Sequence, residues 1–213
     1  NYGPRPTAKP TPTADTGGVT TDYFGNEHPT HIGYINGYPD GSVQPEGDIT
    51  REEMATVLYR VIKQSYDAPK VVTGTVFTDI DAGRWSAQAV EYLAEQKILE
   101  GYPGGAFAPE NAMTRAEFSA MVSRWLKAEE PEEIKEFPDV NSSSWAYQYI
   151  YALADLGFVQ GYEDQTFRPD KTISRAEVMT VMNKILGRAP SEEYVKAQNF
   201  NPYSDLQKNS WYY

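Results

Sequence analysis

The sequence predicts an all-α domain: three helix-loop-helix repeats in a pseudo-threefold arrangement with a central helical bundle. Three observations predict it. A 22-residue stretch recurs three times without a gap, opening at Gly37 (GYPDGSVQPEGDITREEMATVL), Gly101 (GYPGGAFAPENAMTRAEFSAMV) and Gly161 (GYEDQTFRPDKTISRAEVMTVM). The spacing of 64 residues from Gly37 to Gly101, then 60 to Gly161, suits one helix-loop-helix unit per repeat. A second signature, Phe-x-Asp with Trp six residues after the aspartate, comes at Phe77-Asp79-Trp85 and Phe137-Asp139-Trp145, and as a variant at Tyr203-Asp205-Trp211.

Each element follows from local chemistry. Residues 1–21 are rich in Pro and Thr and poor in apolar side chains, and read as an extended, flexible linker. The linker suggests the anchor end of something larger, with a cargo domain upstream, and with no signal peptide in view a precursor's front end is expected to have been removed. Repeat 1 takes residues 22–66, with no clear pattern before Ile35 and without the Phe-x-Asp signature. His28 and His31 have H-x-x-H spacing, but Pro29 between them argues against a helical metal site. Repeat 2 takes 67–130 and repeat 3 takes 131–190. Residues 191–213 begin a partial fourth repeat, placed to complete repeat 1.

Within a repeat, Trp85 and Trp145 open apolar periodicities with Val90, Leu93, Ala94 and Ile98, then Ile150, Leu153, Ala154 and Phe158, facing inward. The Gly-Tyr loop is turn chemistry, and its glycine is expected to end the preceding helix in a left-handed cap. Thr50, Thr114 and Ser174 each stand three residues before a glutamate, which is a capping box. Behind the boxes run Met54, Val57, Leu58, Val61 and Ile62; Phe118, Met121, Val122 and Trp125; and Val178, Val181, Met182 and Ile185. Phe107 and Phe167 belong to the core.

Arg51, Arg115 and Arg175 follow the caps directly. A cation in the first turn opposes the helix dipole by a few tenths of a kcal/mol, roughly, yet all three copies place one there in a chain of net charge −11. Two readings fit. The guanidinium, the dipole and the free N–H groups converge on a carboxylate or phosphate; or the arginine bridges to an acid of a neighbouring repeat. Asp79, Asp139 and Asp205 are read first as caps of the Trp helices and second as acceptors of sugar hydroxyls, and Trp85, Trp145 and Trp211 as mostly core, with an edge toward a groove.

Composition excludes several classes. The acidic balance argues against nucleic acid and against anionic membrane surfaces. The chain has no cysteine, so no disulfide or thiolate site, and no apolar run approaches a membrane span. No nucleophile elbow, P-loop or dinucleotide fingerprint is present, and none of the 30 acidic residues is singled out by spacing as a glycosidase pair. No enzyme and no cofactor are predicted.

The run F-x-D…W-A, G-Y-x-D-G-x-F-x-P and T-R-A-E resembles the S-layer homology repeat of bacterial surface proteins. Copy 3 carries it almost whole in Trp145-Ala146, Gly161-Tyr162, Phe167, Pro169 and Ser174-Arg175-Ala176-Glu177. Copy 1 departs from it with Val43 for phenylalanine and Glu52 for alanine, copy 2 with Gly104 for the loop aspartate, and copy 3 with Glu163 and Gln165 in the loop. The resemblance implies noncovalent anchoring of a secreted Gram-positive surface protein, outside the cell, to pyruvylated secondary cell-wall polysaccharide, notably its pyruvylated N-acetylmannosamine residues. It favours the anion reading, with the ketal carboxylate on Arg51, Arg115 or Arg175. It also places sugar contacts at Gly37-Tyr38, Gly101-Tyr102 and Gly161-Tyr162, and allows self-assembly in a surface lattice. A structural or protein-binding module without carbohydrate is the alternative, which arginines consumed in internal salt bridges would favour.

Overall fold

The structure, a computed structural model, describes residues 20–28, 33–64, 72, 74–129, 131, 137–188 and 203–207. The linker before residue 20, His31 and Trp211 lie outside them, as does His28 beyond its backbone. The fold is all-α as expected: five helices, α1 (Arg51–Lys63), α2 (Ala87–Glu95), α3 (Arg115–Leu126), α4 (Tyr147–Asp155) and α5 (Arg175–Ile185), beside one small hairpin of β1 (Thr20–Thr21) and β2 (Glu27–His28). No described helix is long and apolar enough to cross a membrane. The described residues fall into two compact units, one of Asp48–Ile173, the other of Asn1–Gly47 with Ser174–Tyr213.

In the Asp48–Ile173 unit the predicted capping boxes form at α1 and α3. The hydroxyls of Thr50 and Thr114 accept the N–H of Glu53 and Glu117, whose side chains accept the cap N–H in return. Helices pair across repeats: α1 packs on α2 and α3 on α4. Tyr59 and Tyr92 meet edge to face at 5.4 Å, and Phe137, Ile150, Tyr151 and Phe167 share a core with Ala116. Among the described elements the two helices of one repeat, α2 and α3, do not pack on each other. The Gly-Tyr loop carries the chain away from its own first helix instead.

The three repeats meet at the residue two places before each capped helix. The N–H of Met113 donates to Ile49 O (2.9 Å), that of Ile173 to Met113 O (2.9 Å), and that of Ile49 to Ile173 O (3.2 Å). These form a closed ring of backbone hydrogen bonds with threefold order. All three side chains are buried. Thr50 and Thr114 follow Ile49 and Met113 directly, so the starts of α1 and α3 are fixed relative to each other within this unit.

In the other unit, Ser174 and Glu177 make the third capping box. The segment without a clear pattern in the sequence packs onto the far end of α5. The N–H of Tyr23 donates to Ile185 O (2.8 Å), and the Tyr34 hydroxyl to Asn183 Oδ1 (2.7 Å). Asp22 holds the hairpin turn by accepting from the N–H of Phe24 and Asn26.

Met113 tests the ring. It is fully buried where three repeats meet, so Met113→Ala is expected to cost about 2–5 kcal/mol of unfolding free energy, read from denaturant titration. A loss below about 1 kcal/mol would show that the centre collapses around the cavity.

Candidate functional site

The Gly-Tyr loops are built alike. The N–H of Tyr38, Tyr102 and Tyr162 donates to the carbonyls of Ser42, Ala106 and Thr166 at 2.7, 2.7 and 2.8 Å, closing each loop. Two residues after each of these carbonyls, Gln44, Ala108 and Arg168 adopt left-handed backbone with φ of 50, 56 and 57°. That conformation is uncommon for residues with a Cβ, and an aspartate pins it each time. Asp79 accepts from the N–H of Phe107 and Ala108 (both 2.7 Å), Asp139 from Phe167 and Arg168 (2.8 and 2.6 Å), and Asp205 from Val43 and Gln44 (2.8 and 2.7 Å). The helix-capping role expected of these aspartates is therefore corrected. Neither α2 nor α4 has a side-chain cap, because the carboxylates are spent on the loops. Partial burial alone raises the Asp79 carboxyl, but the two N–H donors, with the charge of Arg51, outweigh it and hold it below the usual aspartate value.

The role of the glycines is also corrected. Gly37, Gly101 and Gly161 are not left-handed; Lys97 and Gly157 are, just after α2 and α4. A Cβ on Gly101 would sit 2.5 Å from both the Phe77 ring and Ala106 O. On Gly161 it would meet the Phe137 ring at 2.8 Å, and on Gly37 the Tyr203 ring at 2.6 Å. The glycine exists so that the aromatic of the Phe-x-Asp signature can lie against the loop.

Arg51, Arg115 and Arg175 are buried, and each reaches into the loop of the next repeat in order, α5 returning to the first. Nε donates to Phe107 O, Phe167 O and Val43 O, all at 2.8 Å. Nη2 donates to Glu100 O, Gln160 O and Asn36 O at 3.0, 3.1 and 2.9 Å, the carbonyl just before each loop glycine. The loop tyrosine covers the guanidinium at 4.6, 4.9 and 4.9 Å for Tyr102, Tyr162 and Tyr38. The helix-terminus part of the anion reading does not survive. The first two helical N–H groups donate to loop carbonyls: Arg51 and Glu52 to Asn111 and Pro109, Arg115 and Ala116 to Lys171 and Pro169, Arg175 and Ala176 to Gly47 and Pro45. The third N–H is held by the capping hydroxyl, so the dipole is answered within the protein.

A cavity of about 250 Å³ opens in the Asp48–Ile173 unit between the second loop, one face of α3 and the start of α4. Arg51, Gly101, Tyr102, Glu117, Arg124 and Trp145 line it. Trp145 is 60% exposed and Trp85 is 47% exposed, against the expectation that their rings are mostly core. Ala87 and Ala146 fill the buried positions beside them instead. Glu117 gathers the groove: Oε1 accepts Arg51 Nη1 (2.9 Å) and the Tyr102 hydroxyl, and Oε2 accepts the Thr114 N–H (2.9 Å). Burial raises the Tyr102 phenol, and its bond to Glu117 adds to that, so it stays a proton donor. Among the described residues no acidic or histidine cluster could hold a metal.

The family model of the S-layer homology domain matches residues 33–55, 76–119 and 136–179, more than half of the chain. The chain belongs to the S-layer homology domain family. The cellulosome-anchoring protein of Acetivibrio thermocellus is 33% identical over 86% of this chain and 41% of its own length. Cell surface glycoprotein 1 of the same organism is 32% identical over 85% of the chain and 8% of its own. Endo-1,4-beta-xylanase A of Thermoanaerobacterium saccharolyticum is 37% identical over 49% of the chain and 9% of its own. The chain thus spans well under half of these relatives.

Two features of this S-layer homology domain escaped the sequence reading. Glu52, noted only as a departure, is buried and takes a two-pronged bond from Arg84 (2.7 and 2.8 Å) and the Ser86 hydroxyl (2.5 Å). Alanines stand at the positions of Glu52 in copies 2 and 3 and of Ser86 in copy 3, so the joint departure was the signal. Arg124 reaches the groove from the last turn of α3, where the other S-layer homology copies also carry a base, Arg60 and Lys184. Last-turn bases suit the helix dipole and drew no notice.

Arg51→Ala leaves the Glu117 carboxylate and two loop carbonyls without this donor in a mostly buried site, and is expected to cost about 3–5 kcal/mol, measured by urea denaturation. For Asp79 the sign follows from its lowered value. Its contribution is whole above the ordinary aspartate pKa of about 3.9 and is lost as pH falls through the lower folded value. Asp79→Asn is expected to destabilise at pH 7 and to flatten melting temperature against pH below about 4 relative to the parent; parallel curves would sink the assignment.

Proposed function

We propose that this S-layer homology domain anchors a surface protein noncovalently to the Gram-positive cell wall by binding pyruvylated secondary cell-wall polysaccharide, without catalysis. The observation that carries this reading is the groove at Arg51, Tyr102, Arg124 and Trp145, where exposed aromatic faces stand beside two guanidinium groups. Aromatic rings suit the apolar faces of sugars, and arginine suits the planar carboxylate of a pyruvyl ketal. The same arginine–tyrosine contact at Arg115 with Tyr162 and Arg175 with Tyr38 extends the assignment to Gly37, Gly161, Trp85 and Trp211 as candidate sugar contacts. Asp79, Asp139 and Asp205 would act by holding the loops.

The protein lies outside the cell at the surface. The relatives named as an anchoring protein and as a xylanase share only a part of their length with this chain. That supports a module attached to varied cargo, here upstream of the linker. We further propose residues 1–21 as that linker, repeats at 22–66, 67–130 and 131–190, and 191–213 as the missing first part of repeat 1. Asp205 on the first loop and Tyr203 against Gly37 support the last assignment.

A specific observation favours a second reading, an interaction module for protein or for lattice self-assembly with no carbohydrate. Arg51 already holds a carboxylate, that of Glu117. The two readings separate in a pull-down of the intact chain with purified Gram-positive sacculi. Ketal-bearing sacculi are expected to retain the chain at least tenfold better than sacculi stripped of ketal, and Trp145→Ala to lose most of that retention. Retention indifferent to the ketal would remove the carboxylate from the mechanism. No retention at all would favour the protein-contact reading.

A further inference from the structure

The groove holds two guanidinium groups in very different states, and the difference decides which of them is able to receive an anion. The Arg51 side chain is 5% exposed. Its Nε, Nη1 and Nη2 donate to Phe107 O, Glu117 Oε1 and Glu100 O, and its plane lies 4.6 and 4.7 Å from the rings of Tyr102 and Phe107. A ligand carboxylate taking the place on Nη1 would have to expel Glu117, which also accepts from Tyr102 and caps α3. Expelling it would strand a buried charge and open the capping box.

Arg124 is differently placed. Its side chain is 19% exposed, and its acidic partner is Glu100, whose own side chain is 65% exposed. One bond joins them, Nη2 to Oε2 at 2.7 Å. The Tyr149 ring lies 4.8 Å from the guanidinium carbon and the Tyr149 hydroxyl 3.3 Å from Nη2, which fixes its plane. The Glu100 side of the pair is open to water, which screens the attraction and leaves that carboxylate weakly held. Arg124, Glu100 and Trp145 line the same cavity. The recurrence of a base at Arg60 and Lys184 is accounted for by the helix dipole; what distinguishes Arg124 is the groove beside it.

We propose that Arg124 is the residue that receives the ligand carboxylate in this groove, that Glu100 is the resident carboxylate it exchanges for it, and that Arg51 is a positioning residue that holds the loop. This rests on the reading of the groove as a site for an acidic sugar. The ligand anion takes the place of the Glu100 carboxylate on Arg124 in a bidentate pair, with its sugar face against Trp145.

The test uses the intact chain and two synthetic probes, the methyl glycoside of pyruvyl-ketal N-acetylmannosamine and the same glycoside without the ketal, titrated calorimetrically. Arg124→Gln is expected to weaken the ketal probe at least tenfold and to leave the ketal-free probe within twofold. Arg124→Lys should recover part of the loss. Glu100→Gln is expected to tighten the ketal probe two- to tenfold, because the competing carboxylate is gone. The melting temperature of Glu100→Gln should stay near the parent, since that side chain is exposed; melting curves of the two Arg124 variants, whose side chain packs on Tyr149, confirm that binding is read on folded protein. If the parent prefers the ketal probe while Arg124→Gln and Glu100→Gln bind it unchanged, the assignment to Arg124 fails and the carbohydrate reading stands. If the parent binds neither probe, both fall together.

Discussion

Each repeat of this domain depends on a guanidinium that it sends into the next. In the first turn of α1, α3 and α5 a buried arginine spends Nε and Nη2 on two carbonyls of a neighbouring Gly-Tyr loop. Arginine alone among side chains can do this from one rigid plane, because its donors diverge at fixed angles and its charge survives burial. The cost of placing a cation at a helix start is met by handing the helical N–H groups to carbonyls of that same loop. The loop in turn holds its shape through an aspartate on a left-handed residue and a glycine under an aromatic ring. Removing the arginine leaves a buried loop carbonyl without its donor, which is costlier than the bond is favourable.

The features common to all three copies, the arginine, aspartate, glycine and capping box, are all committed to internal bonds. The features that differ lie around the loops, at the surface for Tyr102 and Tyr162 and buried for Glu52 and Ser86. Tyr102 donates to Glu117, whereas the Tyr162 hydroxyl accepts from Lys171 Nζ at 2.9 Å with Arg168 over its ring. Glu52 has recruited Arg84 and Ser86, where copy 3 has Ala176, Ser144 and Ala146. Three loops with one backbone are thus surrounded by three chemically distinct sets of side chains.

The Phe-x-Asp signature shows how short a segment can be and still carry structural weight. Residues 203–207 have no helix of their own among the described residues, yet Asp205 serves the first loop as Asp79 and Asp139 serve the others. A chain end some 160 residues from Val43 is drawn in by two charge-assisted hydrogen bonds and one ring on a glycine.

The repeat, the all-α class, the capped helices and their inward faces were legible in the sequence, because helical periodicity and the capping box are local: the residues that make them lie within one or two turns. The family was legible for the same reason, since its motifs are contiguous. What Arg51, Asp79 and Gly101 do was not, because each acts on a partner 28 or more residues away or, for the glycine, on the Phe77 ring. A free anion site, a helix cap and a left-handed turn were the nearest local explanations. Only the tertiary structure brought the ring of Ile49, Met113 and Ile173 together and turned Trp145 outward beside Arg124. Those outcomes depend on which surfaces remain once the distant partners have met, and no run of neighbouring residues encodes that.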